Sequence, residues 1–174
     1  LYMKEFDLSV EDRSVVPPAR DAALAAQTAN KGNEGIYCGA SIELKDGTIV
    51  TGSNSPLMHA ATSLVIHAIK HLAGIPDQLA LLPDYVTDSV RYLKTRILNE
   101  GSVSLDLEEA LIVLSVSTMT NPAAKLALAK LKDLKGCEVH MTHIPSPGDE
   151  AGLRRIGVNL TSDPNFATKN LFIT

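Results

Sequence analysis

The hydrophobic pattern separates one region of period two from several of helical period. From Ile36 to Leu44, the residues Ile36, Cys38, Ala40, Ile42 and Leu44 alternate with Tyr37, Gly39, Ser41 and Glu43. That is the repeat of a strand with two unlike faces. Lys45-Asp46-Gly47 follows, and residues 48–51 return to β-prone types. Asp-Gly between two such runs predicts a tight hairpin. Gly52-Ser53-Asn54-Ser55 then leads into Pro56. Ser55 as cap and Pro56 in the first turn predict a helix over 56–73, stopped by Gly74 and Pro76.

Other stretches carry start and stop signals of their own. Pro17-Pro18 opens an Ala-rich helix to residue 29. Further helices are expected over 83–99, 121–134 and 146–156. Asp106-Leu107-Glu108-Glu109 has the form of a capping box, which predicts a helix over 107–118. A buried strand is the rival reading there, since Leu111-Ile112-Val113-Leu114 is apolar throughout. Single strands are expected at 79–82, 138–143 and 158–161, and the tail from Asp163 reads as extended. Strands joined through helices favour parallel pairing. The expectation is an α/β fold, a mixed five-stranded sheet flanked by helices. Residues 1–34 read as a helical arm or linker from a missing N-terminal region, and 35–174 as a C-terminal α/β domain.

Composition narrows the function classes. The 174 residues include two cysteines and no tryptophan, and aromatics make up 4%. The core must come from Ala, Leu, Ile and Val. A net charge of −4 lacks the basic surface that nucleic-acid binding requires. No apolar run reaches the roughly 18 residues needed to span a bilayer. Cys38 and Cys137 form no CxxC pair, so two buried thiols in a reducing, cytoplasmic setting are expected and no metal is assigned.

Candidate chemistry gathers at helix starts. Gly52, Ser53, Asn54 and Ser55 join a strand end to a helix N-terminus, where free N–H groups and the helix dipole suit a phosphate or carboxylate. Leu57 and Met58 would donate, with Ser53 and Asn54 helping. His59, one turn on, is a candidate acid or base. The plainer account is that Ser55 is an ordinary cap. Thr120 and Asn121, ahead of Pro122, form a second polar helix start with the same two readings. His67 and His71 share a helix face but have no third ligand in sequence, and a dipole role explains them as well. His140 and His143, three apart on a strand, point to opposite faces. The acidic residues stand mostly at helix starts, where capping explains them.

Several long runs together resemble one family. Cys38 through Gly52, Asn54 through Ala61, Thr120 through Ala124 and Leu134 through His140 are similar to the bacterial domain-of-unknown-function 1846 family. The resemblance covers essentially the whole chain. It implies the C-terminal region of a protein about three times as long, whose N-terminal part carries a nucleotide-binding phosphate loop that this chain lacks. It brings no established activity. A second likeness, through the hairpin feeding a helix and through Ile144-Pro145-Ser146-Pro147 to Val158, is to the cytidine-deaminase-like fold. The zinc site of such enzymes has no counterpart here: His59-Ala60-Ala61 carries no Glu and no Cys pair exists.

These observations set two expectations. In the first, the chain supplies a cleft wall with an anion-binding turn to a nucleotide-dependent enzyme, with no cofactor in this fragment itself. In the second, it is a non-catalytic module for docking onto the N-terminal domain or for homo-oligomerisation. Convergence of the polar helix starts on one concavity separates the two.

Overall fold

A computed structural model describes residues 9–167. Leu1 to Leu8 and the last seven residues of the expected extended tail lie outside the described residues. Among the described residues the order is α1 (Val16–Thr28), β1 (Gly39–Glu43), β2 (Ile49–Ser53), α2 (Ala60–Ala73) and α3 (Asp84–Tyr92). Then follow α4 (Leu107–Ser117), α5 (Pro122–Leu128), β3 (Glu138–Met141), α6 (Pro147–Ile156) and β4 (Asn159–Ser162). A π-helical turn, Leu93–Ile97, prolongs α3, and short 3-10 turns occupy Val10–Asp12 and Leu131–Leu134.

The sheet is mixed, with strand order β2-β1-β3-β4. β1 runs antiparallel to β2 and to β3, and β3 pairs parallel with β4 through the α6 crossover. The α/β class and the flanking helices match expectation. The sheet has four strands among the described residues, not five, and the cytidine-deaminase-like topology gains no support from it. The missing strand is the one expected over 79–82. Leu81 is buried there, but Pro76 and Pro83 bracket the segment and no strand pairs with it. Burial of one leucine satisfies the apolar signal without a ladder. The segment over 107–118 is helix: Asp106 accepts from the Glu109 N–H at 2.9 Å, and Glu109 Oε1 accepts from the Asp106 N–H at 3.0 Å. That reciprocal cap decides against the strand reading.

The alternation in β1 sorts the helices onto two faces. Ala40 and Ile42 point into the main core with Leu64, Ala68 and Ile69 of α2 and Leu153 of α6. Gly39 and Ser41 face α1: the Ser41 hydroxyl donates to the Val15 carbonyl, and a side chain at 39 would strike Ala23. Val16 and Ala19 of α1 are fully buried. The stretch expected as an arm therefore lies, over residues 16–28, against the sheet.

Helix α2 begins at Ala60 with His59 as its N-cap, not at Pro56 behind Ser55. The reason is tertiary. Met58 makes a parallel bridge with Leu105, the His59 N–H donates to the Leu105 carbonyl at 2.9 Å, and the Leu105 N–H donates to the Leu57 carbonyl at 3.0 Å. Met58 and His59 are held extended by that bridge, so the helix starts one turn late.

Gly52 lets α2 lie directly on β2. A Cβ there would sit 2.7 Å from Leu64 Cα, in contact with backbone that cannot yield. Gly52→Ala is expected to destabilise the domain by about 1–3 kcal/mol, the range of overpacked cores. A shift of the urea midpoint in the full chain checks this; an unchanged midpoint would mean α2 moves freely on the sheet.

Candidate functional site

Three helix starts meet at one end of the sheet. His59 caps α2, Asp106 caps α4 and Ser146 caps α6. Ser146 Oγ accepts from the Asp149 N–H, fixing the first turn of α6. That turn aims the Asp149 carboxylate inward. One oxygen accepts from the Leu107 N–H at 2.9 Å, at the first residue of α4. The other lies 2.7 Å from His59 Nδ1. Facing a carboxylate, Nδ1 carries the proton and donates, which leaves Nε2 as the working nitrogen. Nε2 makes no hydrogen bond to any described residue.

The pair is sheltered unequally. Asp149 retains 4% of its side-chain exposure and His59 33%. Burial works against charging His59. The hydrogen bond and charge of Asp149, with the Asp106 carboxylate beyond, outweigh it, and the imidazole pKa stands above 6.5. Lys94 opposes this from a distance. Its ammonium is committed elsewhere, to the Ser104 carbonyl at 2.8 Å and Glu109 at 2.9 Å.

His59 and Asp149 open on a cavity of about 390 Å³. Ile36, Met141 and Phe166 form apolar wall; Glu34, Ser104 and His143 add polar groups. Burial holds the His143 pKa below the ordinary imidazole value, with Asp163 opposing. Cys38 also borders the cavity. Burial first, and the charge of Asp149 next, push its thiol up to about 12. Cys38 is therefore a thiol at neutral pH and no nucleophile.

The residues singled out from sequence are distributed unevenly. Asn54 and His59 border this cavity; Gly52, Ser53, Ser55, Thr120 and Asn121 are not among its lining. Ser55 Oγ accepts from the Leu57 and Met58 N–H groups, the two donors expected to hold an anion. Asn54 is committed at both ends, accepting from the Cys38 N–H at 2.9 Å and donating to the Ile36 carbonyl at 3.0 Å. It is a clip between β1 and the turn. Asn121 accepts from the Ala123 N–H and caps α5, and Thr120 is exposed beside it. The anion-binding reading of 52–55 loses these donors to the Ser55 hydroxyl, which closes a turn ahead of the helix. His140 and His143 do part ways: His140 lies under α1, its Nδ1 at 2.8 Å from Thr161 Oγ1, while His143 faces the cavity. Nε2 of His140 is 3.3 Å from Asp163 Oδ1, without hydrogen-bond geometry. His67 Nδ1 contacts the Thr51 carbonyl, and no metal-ligating cluster of three occurs among the described residues. No described helix is long and apolar enough to cross a membrane.

Asp149 was missed in sequence because an acid in a first helical turn reads as a cap. Its signal was slight: Ser146 already caps α6, so a second acid at that turn has no capping work left. Glu34 was passed over inside a polar, Gly-rich loop.

Fold and cavity together define a mixed α/β domain with a sheltered His–Asp pair at the meeting point of three helices. The model of "Domain of unknown function DUF1846, C-terminal" matches residues 11–172, and the chain belongs to that family. It is 42% identical over 172 residues to a UPF0371 protein of Clostridium botulinum (strain Alaska E43 / Type E3), covering 99% of this chain and 34% of the relative. It is 40% identical to a UPF0371 protein of Clostridioides difficile (strain 630) with the same coverage. A UPF0371 protein of Clostridium botulinum (strain Langeland / NCTC 10281 / Type F) is 38% identical over 173 residues, again 99% of this chain and 34% of the relative. The chain thus spans about a third of the length of these curated relatives.

The sign of the His59 linkage gives a stability prediction. Its folded pKa is raised, so its stabilisation is complete below pH 6.5 and is lost as pH rises through the folded value. His140 and His143, both lowered mainly by burial, act in the opposite sense. The difference in melting temperature between the natural chain and His59→Gln should therefore grow as pH falls toward 6.5 and then level off. A difference independent of pH would show that the Asp149 contact does not favour the imidazolium.

Proposed function

We propose that this domain supplies an acid/base dyad, His59 held by Asp149, to the wall of an enzyme's substrate cavity. The observation that carries the reading is the 2.7 Å contact between His59 Nδ1 and a buried carboxylate beside an open cavity. Asp149 fixes the ring orientation and tautomer. Nε2 then takes a proton from a bound group and returns it, at a pKa moved toward the operating pH. Geometry alone gives no covalent nucleophile: Cys38 stays protonated, and among the described residues the His59 ring makes no hydrogen bond to a serine hydroxyl.

The longer protein's activity is part of the same proposal. The rest of the polypeptide would close the cavity, and the nucleotide implied by the family resemblance would be held there, since no Lys or Arg of this chain borders the cavity among the described residues. The alternative is non-catalytic docking or self-association. It draws on the apolar stripe Ile112, Val116 and Met119, exposed along α4 and just past its end. Asp149 ties the helix starts together in either reading, but the imidazole edge left open to the cavity, with 33% of the His59 side chain exposed, has work to do only if a ligand enters. The dyad therefore favours the enzymatic reading.

A thermal-shift screen of small molecules against the full chain tests this. Compounds that stabilise the natural protein are expected to lose that effect in both His59→Asn and Asp149→Asn. Hits that survive in both variants, with unchanged turnover by mass spectrometry, would transfer the chemistry elsewhere.

A further inference from the structure

Glu34 stands out on two independent grounds. It is a non-glycine residue with φ +54°, followed by Gly35 at +77°. The two form the centre of a tight turn closed by paired hydrogen bonds between Asn33 and Ile36, at 3.1 and 3.0 Å. With both central residues left-handed, such turns favour Asn, Asp or Gly at the first of them. Glutamate gains nothing local in return: among the described residues its carboxylate makes no hydrogen bond and no ion pair. Strain of this kind persists where another requirement holds the residue in place. The second ground is position, since Glu34 borders the cavity on which His59 opens.

The charges of the lining say what such a residue would meet. Among the described residues, the ionisable groups bordering the cavity are Glu34, Cys38, His59, His143 and Asp149. Burial holds Cys38 and His143 uncharged at neutral pH. Protonated His59 is matched by Asp149. Behind the wall, Lys94 is matched by Glu109 and Glu100. Among the described residues Glu34, exposed at the cavity rim, is the charge without a partner, and the remaining wall is largely apolar. Resting on the acid/base reading of His59, we infer that Glu34 is a specificity residue, and that the cavity takes a small cationic ligand, an amine with an apolar body, whose ammonium pairs with Glu34. An anionic ligand would meet net negative lining.

Three probes of equal size separate the cases: butylammonium, 1-butanol and butyrate, titrated into the full chain while the His59 imidazole signals are followed by NMR. Butylammonium is expected to bind about twofold to fivefold more tightly than 1-butanol, as a solvent-exposed ion pair implies, and butyrate to bind most weakly. Glu34→Gln should erase that advantage and leave 1-butanol unchanged. Glu34→Asn and Glu34→Gly, which relieve the left-handed strain, should raise the melting temperature and yet lose butylammonium selectivity. That combination is not expected of a merely structural turn residue. Equal binding of butylammonium and 1-butanol, or undiminished selectivity in the Gln variant, overturns the role of Glu34 while the dyad reading stands. Preference for butyrate overturns the ligand class. Failure of all three to perturb His59 overturns the ligand class, while the dyad reading is decided separately by the His59→Asn and Asp149→Asn comparison.

Discussion

The Asp149 carboxylate is the joint on which this end of the molecule depends. It belongs to α6, accepts from the first N–H of α4 and accepts from the imidazole of His59, the residue at the N-cap position of α2. Three helices that have no common loop are tied at their starts by one side chain. The interaction is short, partly charged and shielded from water, the conditions under which a hydrogen bond contributes most and its loss costs most. The buried surroundings oppose charging the imidazole and the carboxylate restores it, so packing and site chemistry are set by the same atoms.

The sheet provides the rigid side of this arrangement. β1 and β3 end beside the cavity, delivering Cys38 from one direction and Met141 and His143 from the other. Asn54 clips the strand ends together through the Cys38 N–H and the Ile36 carbonyl. The polar loop at 33–36 then folds back to place Glu34 at the same opening. Backbone hydrogen bonds thus position the wall, while only a few side chains carry its chemistry.

Much of the fold was legible where local rules and tertiary packing agree. The hairpin followed from alternation around Asp46-Gly47, and α4 from the Asp106–Glu109 capping box. The segment over 79–82 failed because a strand needs a partner that sequence does not show. The start of α2 failed because Leu105, some 45 residues away in the chain, holds Met58 and His59 extended. For the site, His59 was legible as a polar residue near a helix start. Its partner was not, since an acid at the beginning of α6 has an adequate local explanation. The donors expected to bind an anion were real donors, but Ser55 and the strand ends use them. What distinguishes a cap from a site here is which acceptor reaches the N–H first, and that is a matter of three-dimensional closeness.

His59 and Asp149 are separated by 90 residues. Closing a loop of that span costs chain entropy that neither helix incurs alone. The ring and the carboxylate meet only through the tertiary packing that brings the starts of α2, α4 and α6 together. A partly folded molecule therefore holds both residues without holding the pair. The pair exists only in the assembled domain, and the proton affinity of the imidazole depends on a carboxylate that a distant helix brings to it.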